Sequence, residues 1–423
     1  MSAGRKLNIL VLHGMGRRAN WFSGVADVEL MFPRYDTANN YVVHNCYYPR
    51  PAILEHAEFD AIVMMSTFMD WMTREGLDSE WAAQYAFLKN TPAVKIVFPQ
   101  DDYWNCEIRD TFYVEWGMDI VHPVCPPASW PELIPRFLAG GGVAKLGFTT
   151  YVTDYTRQVA KHATPWDSRQ WDFVYRATKL PKAPNRYGIV KGQIGDRFIN
   201  ALPAGHSFRL NISTDPKDLI RGDAWYDFIG NAKGILGSNS GSSIRLRNHA
   251  VRDRLAELRR NNPAASLEEM EERVVAPEDR NKEYTAVSPR NVEAAALGAV
   301  QLLAPGPYSG ILNAYEDFIP LAEDAGNMDE VLRIWSNRAE CIEIARRARD
   351  KVFAAEAMQV EAVIASVDSL IRERRRPSSR PTSIDAVRRA YQAQFATTFL
   401  LRLPGRVSRA VARRIPVVNR FVS

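Results

Sequence analysis

Cysteine is scarce in this chain: Cys46, Cys106, Cys125 and Cys341 are the only four in 423 residues. Their spacing fits neither a zinc site nor a disulfide framework, which excludes a small secreted scaffold and makes a reducing cytosol the expected compartment. Long apolar runs are missing too. No stretch reaches the roughly eighteen apolar residues that a membrane-spanning helix needs, so none is expected. The N-terminus runs into a strand-like segment too soon to leave room for a signal peptide. At 46% apolar and 24% charged residues, the composition also excludes wholesale disorder, collagen and coiled-coil arrays.

A strong overall charge is likewise absent, since the net is only +5. That sum hides an asymmetry. Residues 371–423 hold thirteen arginines against Glu373 and Asp385, a net of +11, so the preceding 370 residues carry −6. An acidic body argues against nucleic acid as a partner. The tail reads differently. On a helical wheel of residues 407–422, Val407, Val411, Ile415, Val418 and Val422 gather on one side. Arg406, Arg409, Arg413 and Arg420 lie opposite, with Pro416 interrupting. Such a basic amphipathic segment fits an anionic membrane surface, reached through residues 383–423. The expected location is cytoplasmic, peripheral on the inner face of the membrane.

What is present is an alternation of short apolar runs and helical stretches. Leu7-Asn-Ile-Leu-Val-Leu12, Ala61-Ile-Val-Met-Met65 and Val94-Lys-Ile-Val-Phe98 are uninterrupted, as strands buried on both faces of a parallel sheet must be. The pattern predicts a doubly wound α/β unit over residues 1–178 and, after the proline-containing linker 179–184, a second over 186–345. In the second unit Tyr187-Gly-Ile-Val190 reads as a strand, as does Ala232-Lys-Gly-Ile-Leu-Gly237. A long helix is expected to run from residue 338 to about 374, its 346–376 part forming a C-terminal extension ahead of the 377–423 tail. Two α/β lobes imply an interdomain cleft, where ligands bind by default.

Several residues near expected strand ends could carry chemistry. His13-Gly14-Met-Gly16 closes the first strand, where glycines let backbone amides approach an anion. The third glycine of a dinucleotide fingerprint is missing. The Leu12-His-Gly14 run also invites an α/β-hydrolase reading, which needs a Gly-x-Ser-x-Gly elbow. The nearest match, Gly237-Ser-Asn-Ser-Gly241, has Asn239 at its centre. Asp101 and Asp102 follow the strand that ends at Phe98. As neighbours on an extended segment they point to opposite sides, so only one should reach the cleft as a general base. Ser240, Gly241 and Ser242 form a hydroxyl-rich loop that could cradle a diphosphate. Lys191, placed at a strand end, could neutralise it. In Ser288-Pro-Arg290-Asn-Val-Glu293, Ser288 and Pro289 start a helix that holds Glu293 where vicinal ribose hydroxyls could donate to it.

The stretch Ser288-Pro-Arg-Asn-Val-Glu-Ala-Ala-Ala-Leu-Gly298, with Pro307-Tyr-Ser-Gly310, Asp317-Phe-Ile-Pro-Leu321 and Asp324-Ala-Gly-Asn-Met-Asp-Glu-Val331, resembles GT-B glycosyltransferases. It is most similar to the spore-maturation, CgeB-like group, labelled glycosyltransferase family 1 or 4. The resemblance covers about residues 60–350. It implies two Rossmann-like lobes, with an acceptor bound by the first and a nucleotide-sugar donor by the second. It also implies no obligatory metal, no separate cofactor, and a cell-surface, glycan or lipid-linked acceptor. Glu293 matches the second Glu of that family's Glu-x7-Glu signature, and Ala286 stands where the first is expected. On this resemblance Arg290, Lys191 and the 240–242 loop hold the diphosphate, Gly14 and Gly16 line the acceptor side, and Asp101 and His13 are rival catalytic residues. The missing first Glu keeps a second reading open, a binding protein that does not turn over; a hydrolase is the third.

Overall fold

The computed structural model describes residues 5–17, 21–177, 185–376 and 383–401. The linker 179–184 and the basic stretch 407–422 therefore lie outside the described residues. Strands β1 (Asn8–His13), β2 (Asn40–Asn45), β3 (Ala61–Met64), β4 (Val94–Val97), β5 (Ile120–Val121) and β6 (Val143–Ala144) form one parallel sheet in the order β2-β1-β3-β4-β5-β6. The unbroken apolar runs serve both faces. Ile9, Val11, Val63 and Ile96 enter one core, while Leu10, Leu12, Ile62, Met64 and Val97 enter the other. Each such side chain contributes about 1.5–3 kcal/mol through burial.

The second lobe contains β7 (Trp171–Arg176), β8 (Leu210–Ser213), β9 (Ala232–Gly237), β12 (Val300–Leu303) and β13 (Ile319–Pro320), parallel in the order β13-β12-β9-β7-β8. The short β10 (Ser240–Ser242) and β11 (Tyr284–Ala286) pair antiparallel beside it. Trp171–Arg176 thus lies inside the second sheet, upstream of the linker from which the second unit was counted. Tyr187-Gly-Ile-Val190 is not a strand. It opens the helix Arg186–Ala201, where the Asn185 side chain accepts the Tyr187 N–H at 3.2 Å. Lys191 is consequently a helical residue.

The expected long helix breaks in two, Arg338–Ala354 and Val360–Arg374. Between them the chain pairs with the first lobe: Val152 N–H donates to Met358 O at 2.7 Å, and Val360 N–H to Val152 O at 3.1 Å. This crossing lays Val360, Val367 and Ile371 into the same core as Ile9 and Val11. The helix Ile384–Leu401 returns further, burying Val387 and Tyr391 in the opposite core of the first sheet. Between β10 and β11 an excursion carries helices His249–Asn261 and Leu267–Val274 and its own small core. It touches the first lobe where Leu246 N–H donates to Tyr103 O at 2.9 Å. All four cysteines are buried and free. Among the described residues no helix is long and apolar enough to cross a membrane.

Candidate functional site

In parallel α/β sheets the crevice beyond the carboxyl ends of the strands is where loops can diverge and hold a ligand. Here loops from both lobes enclose a cavity of about 670 Å³. The first lobe supplies Asp70, Arg74, Asp101 and Arg109, and the second supplies Lys191, Asn239, Ser240, Gly241 and Ser242. Asp101, Lys191 and the 240–242 segment, far apart in sequence, therefore share one wall-to-wall space. His13, Gly14, Gly16, Arg290 and Glu293 are not among its lining residues.

On the first-lobe side the adjacent aspartates divide. Asp101 takes a left-handed backbone, φ 51°, which costs a non-glycine residue energy and is concentrated at functional sites. Its Oδ1 accepts the Tyr103 hydroxyl at 2.7 Å. Asp102 points inward, buried, and accepts the N–H groups of Val124 and Cys125 at 2.7 and 3.1 Å. Burial raises the Asp102 carboxyl against those bonds. The buried guanidinium of Arg109 donates from Nε to Trp104 O at 2.9 Å and from Nη2 to Asp70 at 3.4 Å.

His13 is buried at the end of β1, edge-on to Trp21 with ring centroids 5.7 Å apart. Burial pushes it down to about 4, so it is neutral at pH 7. Of the glycines beside it, Gly14 does not offer a free amide to an anion. Gly14 N–H is spent on Thr67 Oγ1 at 2.7 Å, and the Gly16 carbonyl accepts Trp21 Nε1 and Asn45 Nδ2 at 3.1 and 2.9 Å. The anion-binding expectation for Gly14 fails because a side chain fifty-three positions on has taken its donor.

The second lobe gathers positive charge. Lys191 is half-buried and pushed down to about 8, first by burial and then by the positive charge of Arg290, with Asp101 opposing. Arg290, in the first turn of the helix Pro289–Ala296, holds its guanidinium over the rings of Trp225 and Tyr175, 5.4 and 5.6 Å from their centroids. Its buried Nε has no partner, and neither do Ser238 Oγ and Asn239 Oδ1 nearby in the chain after β9. Among the described residues no carboxylate pairs with either cation. Glu293 lies one turn on from Arg290. Trp225 Nε1 donates to its Oε2 at 2.8 Å, and Oε1 faces the first lobe, 3.1 Å from where a Cβ on Gly24 would stand. Burial raises this carboxyl, while Trp225 and Arg290 hold it back.

Residues 240–242 are strand β10 rather than an open loop. Ser242 turns its hydroxyl onto its own chain, donating to Ile244 O at 2.8 Å, which removes it from a phosphate cradle. Gly241 has φ 120°, and a Cβ there would sit 1.8 Å from Tyr284 O. Gly241→Ala should therefore cost about 3 kcal/mol or more through strain and overlap, read as a fall in the urea midpoint; an unchanged midpoint would refute the close pairing. Seven residues counted back from Glu293 put the first position of a Glu-x7-Glu signature at Thr285 rather than Ala286. Neither is acidic, and Thr285 Oγ1 is buried without a partner. Sequence reasoning missed Trp225, Tyr175, Arg109 and Glu29. Trp225 alone had a signal, within Gly222-Asp-Ala-Trp225.

Two parallel Rossmann-like sheets with their carboxyl edges around one cleft, and a C-terminal helix crossing back to the first, define the GT-B fold. Among solved structures the chain is similar to an alpha-glucosyltransferase in complex with UDP and a 13-mer DNA containing a HMU base. The two are 10% identical, with a TM-score of 0.51 over 86% of this chain and 99% of that one. A second, an alpha-glucosyltransferase in complex with UDP-glucose and DNA containing an abasic site, is 9% identical, with a TM-score of 0.51 over 87% and 100%. A third, the DNA-modifying enzyme beta-glucosyltransferase, is 12% identical, with a TM-score of 0.47 over 86% and 100%. No protein-family model matches the chain, and no curated protein does. The likeness reaches the GT-B fold and not the spore-maturation group.

These neighbours overturn the exclusion of nucleic acid as a partner, because proteins of this fold hold DNA beside UDP or UDP-glucose. The error is physical. Phosphate contacts depend on local cations, not on the summed charge of a lobe, and Arg74, Arg109 and Lys191 line a cleft in a body whose total is negative.

Proposed function

We propose that this chain is a glycosyltransferase that moves a sugar from a nucleoside-diphosphate donor to a hydroxyl acceptor. The observation that supports it is the pair Lys191 and Arg290, two neighbouring cations with no carboxylate partner among the described residues. Two unpaired cations beside unpartnered polar atoms require an anion with several acceptor oxygens, and a diphosphate supplies one. Glu293, one turn from Arg290, would accept ribose hydroxyls on Oε1 while Trp225 fixes Oε2. In this reading residues 186–345 form the donor lobe and residues 1–178 the acceptor lobe, although β7 contributes to the donor sheet. Asp101, facing Lys191 across the cavity, would take the acceptor proton. His13, neutral but outside the cavity lining, is the weaker candidate. Catalysis would be positional and electrostatic, with the cations stabilising the departing diphosphate.

A thermal-shift series with UDP-, GDP-, dTDP- and ADP-sugars tests this. A ligand at a hundred times its Kd stabilises by about 2.7 kcal/mol, and no shift with any of the four would overturn the reading. Turnover is then assayed with oligosaccharide, lipid-linked and DNA acceptors. Glu293 adds a sharper expectation. The ionised carboxylate is the form that accepts hydroxyls, and burial raises its titration from the ordinary glutamate value. Donor affinity should be complete above that raised value and fall as pH drops through it. Glu293→Gln should bind donor about tenfold or more weakly and lose that acid limb, as measured by calorimetric titration from neutral pH downward.

A further inference from the structure

Glu29 ends the helix Ser23–Glu29 and is 1% exposed, with no cation paired to it among the described residues. A buried carboxylate of this kind needs donors, and it finds them at the start of the helix Ser66–Glu75. Ser66 Oγ donates to Oε1 at 2.6 Å, Thr67 N–H donates to Oε1 at 3.2 Å, and the Thr67 hydroxyl donates to Oε2. Because that hydroxyl proton is committed to the carboxylate, the Thr67 oxygen is left as an acceptor. It takes the Gly14 N–H at 2.7 Å. The next peptide is held too, since Trp71 Nε1 donates to Gly14 O at 3.0 Å. No slack remains: a Cβ on Gly14 would stand 2.4 Å from Trp71, 2.7 Å from Thr67 O and 2.8 Å from Cys46 Sγ. The turn that follows β1 is therefore clamped to one helix, whose Asp70 and Arg74 reach the cavity.

We propose that Glu29 is a positioning residue for the 13–16 turn, acting through Thr67 to fix Gly14 and the turn that carries it out of β1. It does not touch the cavity itself. The charged and titratable groups that face it are Asp70, whose negative charge opposes its ionisation, and Cys46, a buried thiol. Burial leads these effects and, against the Ser66 and Thr67 bonds, moves the Glu29 carboxyl up to about 7. The clamp consequently has two states near neutrality. Ionised, Glu29 accepts all three donors and keeps the Thr67 oxygen turned to Gly14. Protonated, it must itself donate to Ser66 or Thr67, which turns one of those hydroxyls around and loosens the grip. The consequence for turnover rests on the glycosyltransferase reading; the clamp does not.

Hydrogen exchange on the full chain tests the clamp without any assumption about activity. After correction for intrinsic rates, exchange of segment 13–16 should be about tenfold faster at pH 6 than at pH 8 in the wild type, the worth of one hydrogen bond. Thr67→Val, which keeps shape and loses the hydroxyl, should be about tenfold faster at both pH values. Glu29→Gln should lose the step between them. Wild-type protection retained in Thr67→Val, or a pH step surviving in Glu29→Gln, overturns the proposal; Thr67→Val decides alone should Glu29→Gln not fold. In a transfer assay, Glu29→Gln should lower kcat, leave the donor KM unchanged and remove an acid limb near pH 7. Exchange changes as expected with no sugar transfer by the wild type would support the clamp and defeat the glycosyltransferase reading.

Discussion

Lys191→Ala combined with Arg290→Ala should weaken nucleoside-diphosphate binding by about a thousandfold. A hydrogen bond to a charged group is worth about 1.5–3 kcal/mol, so two together give roughly 3–6 kcal/mol, and each 1.4 kcal/mol is tenfold. The free protein should behave in the opposite sense. Lys191 is pushed down to about 8 by burial and by Arg290, so the unliganded chain bears the repulsion of two neighbouring cations. Removing them should leave the melting temperature unchanged or higher, which separates lost binding from lost folding. A pH effect follows with a definite sign. The protonated lysine is the form that binds an anion, so affinity should hold below about 8 and decline as pH rises through it. Lys191→Arg should retain affinity at pH 9, where the wild type has begun to lose it, because guanidinium stays charged. Calorimetry with UDP, GDP and ADP checks both variants against the wild type. Full affinity in the double alanine variant would remove the diphosphate from this part of the cleft.

That pairing shows where a sequence stops being readable. Periodicity located the strands that became β1, β3, β4 and β9, because a strand buried on both faces reads as a near-continuous apolar run. The same signal misled at Tyr187-Gly-Ile-Val190, since a run of four apolar residues fits a strand or a helix equally, and Asn185 settled it as a helix start. It misled again at residues 355–359, where the break in the long helix is imposed by Val152, two hundred positions upstream. In the site, Asp101 and Asp102 do part, one lining the cavity and the other turned inward, but a left-handed turn at Asp101 separates them and not the alternation of an extended segment. The commitment of Gly14 to Thr67 was not legible, and neither was the absence, among the described residues, of a carboxylate in salt-bridge contact with Lys191 or Arg290, since both depend on which distant side chains arrive. Glu29 shows the same limit: nothing local marks it apart from any other glutamate at a helix end.

Acid should unfold the first lobe ahead of the second. His13, His44 and His122 all belong to it and all are buried. His44 lies between two tyrosine hydroxyls, Tyr391 at 3.0 Å and Tyr85 at 3.1 Å, and His122 stacks on Phe98 with centroids 4.2 Å apart. Burial pushes the three down to about 4, 3 and 3. Their folded values lie below the unfolded 6.5, so the stability they protect is present above 6.5 and lost as pH falls from there. Each costs about 1.4 kcal/mol per pH unit, about 4 for the three. Glu29 works in the other direction. Raised to about 7, it favours the fold at low pH and loses that contribution as pH rises from 4.5 to 7, about 1.4 kcal/mol per unit. The histidines outnumber it, leaving a net loss of at most about 2.7 kcal/mol per unit between pH 6.5 and 4.5, reduced further by the raised carboxyls of Asp70 and Asp102. Over those two units that is at most about 5 kcal/mol, as large as the whole stability of a marginal domain. Urea titrations at pH 7 and 5, followed by hydrogen exchange in each lobe, should show first-lobe strands exposed at lower urea in acid while β9 and β12 keep their protection. His44→Gln should flatten the slope by about half, because one contribution of about 1.4 kcal/mol per unit is gone from a net of about 2.7. It should also release the helix Ile384–Leu401 only partly, since Val387 remains buried against the first lobe. Equal first-lobe midpoints at the two pH values would mean that these histidines are already charged in the folded chain.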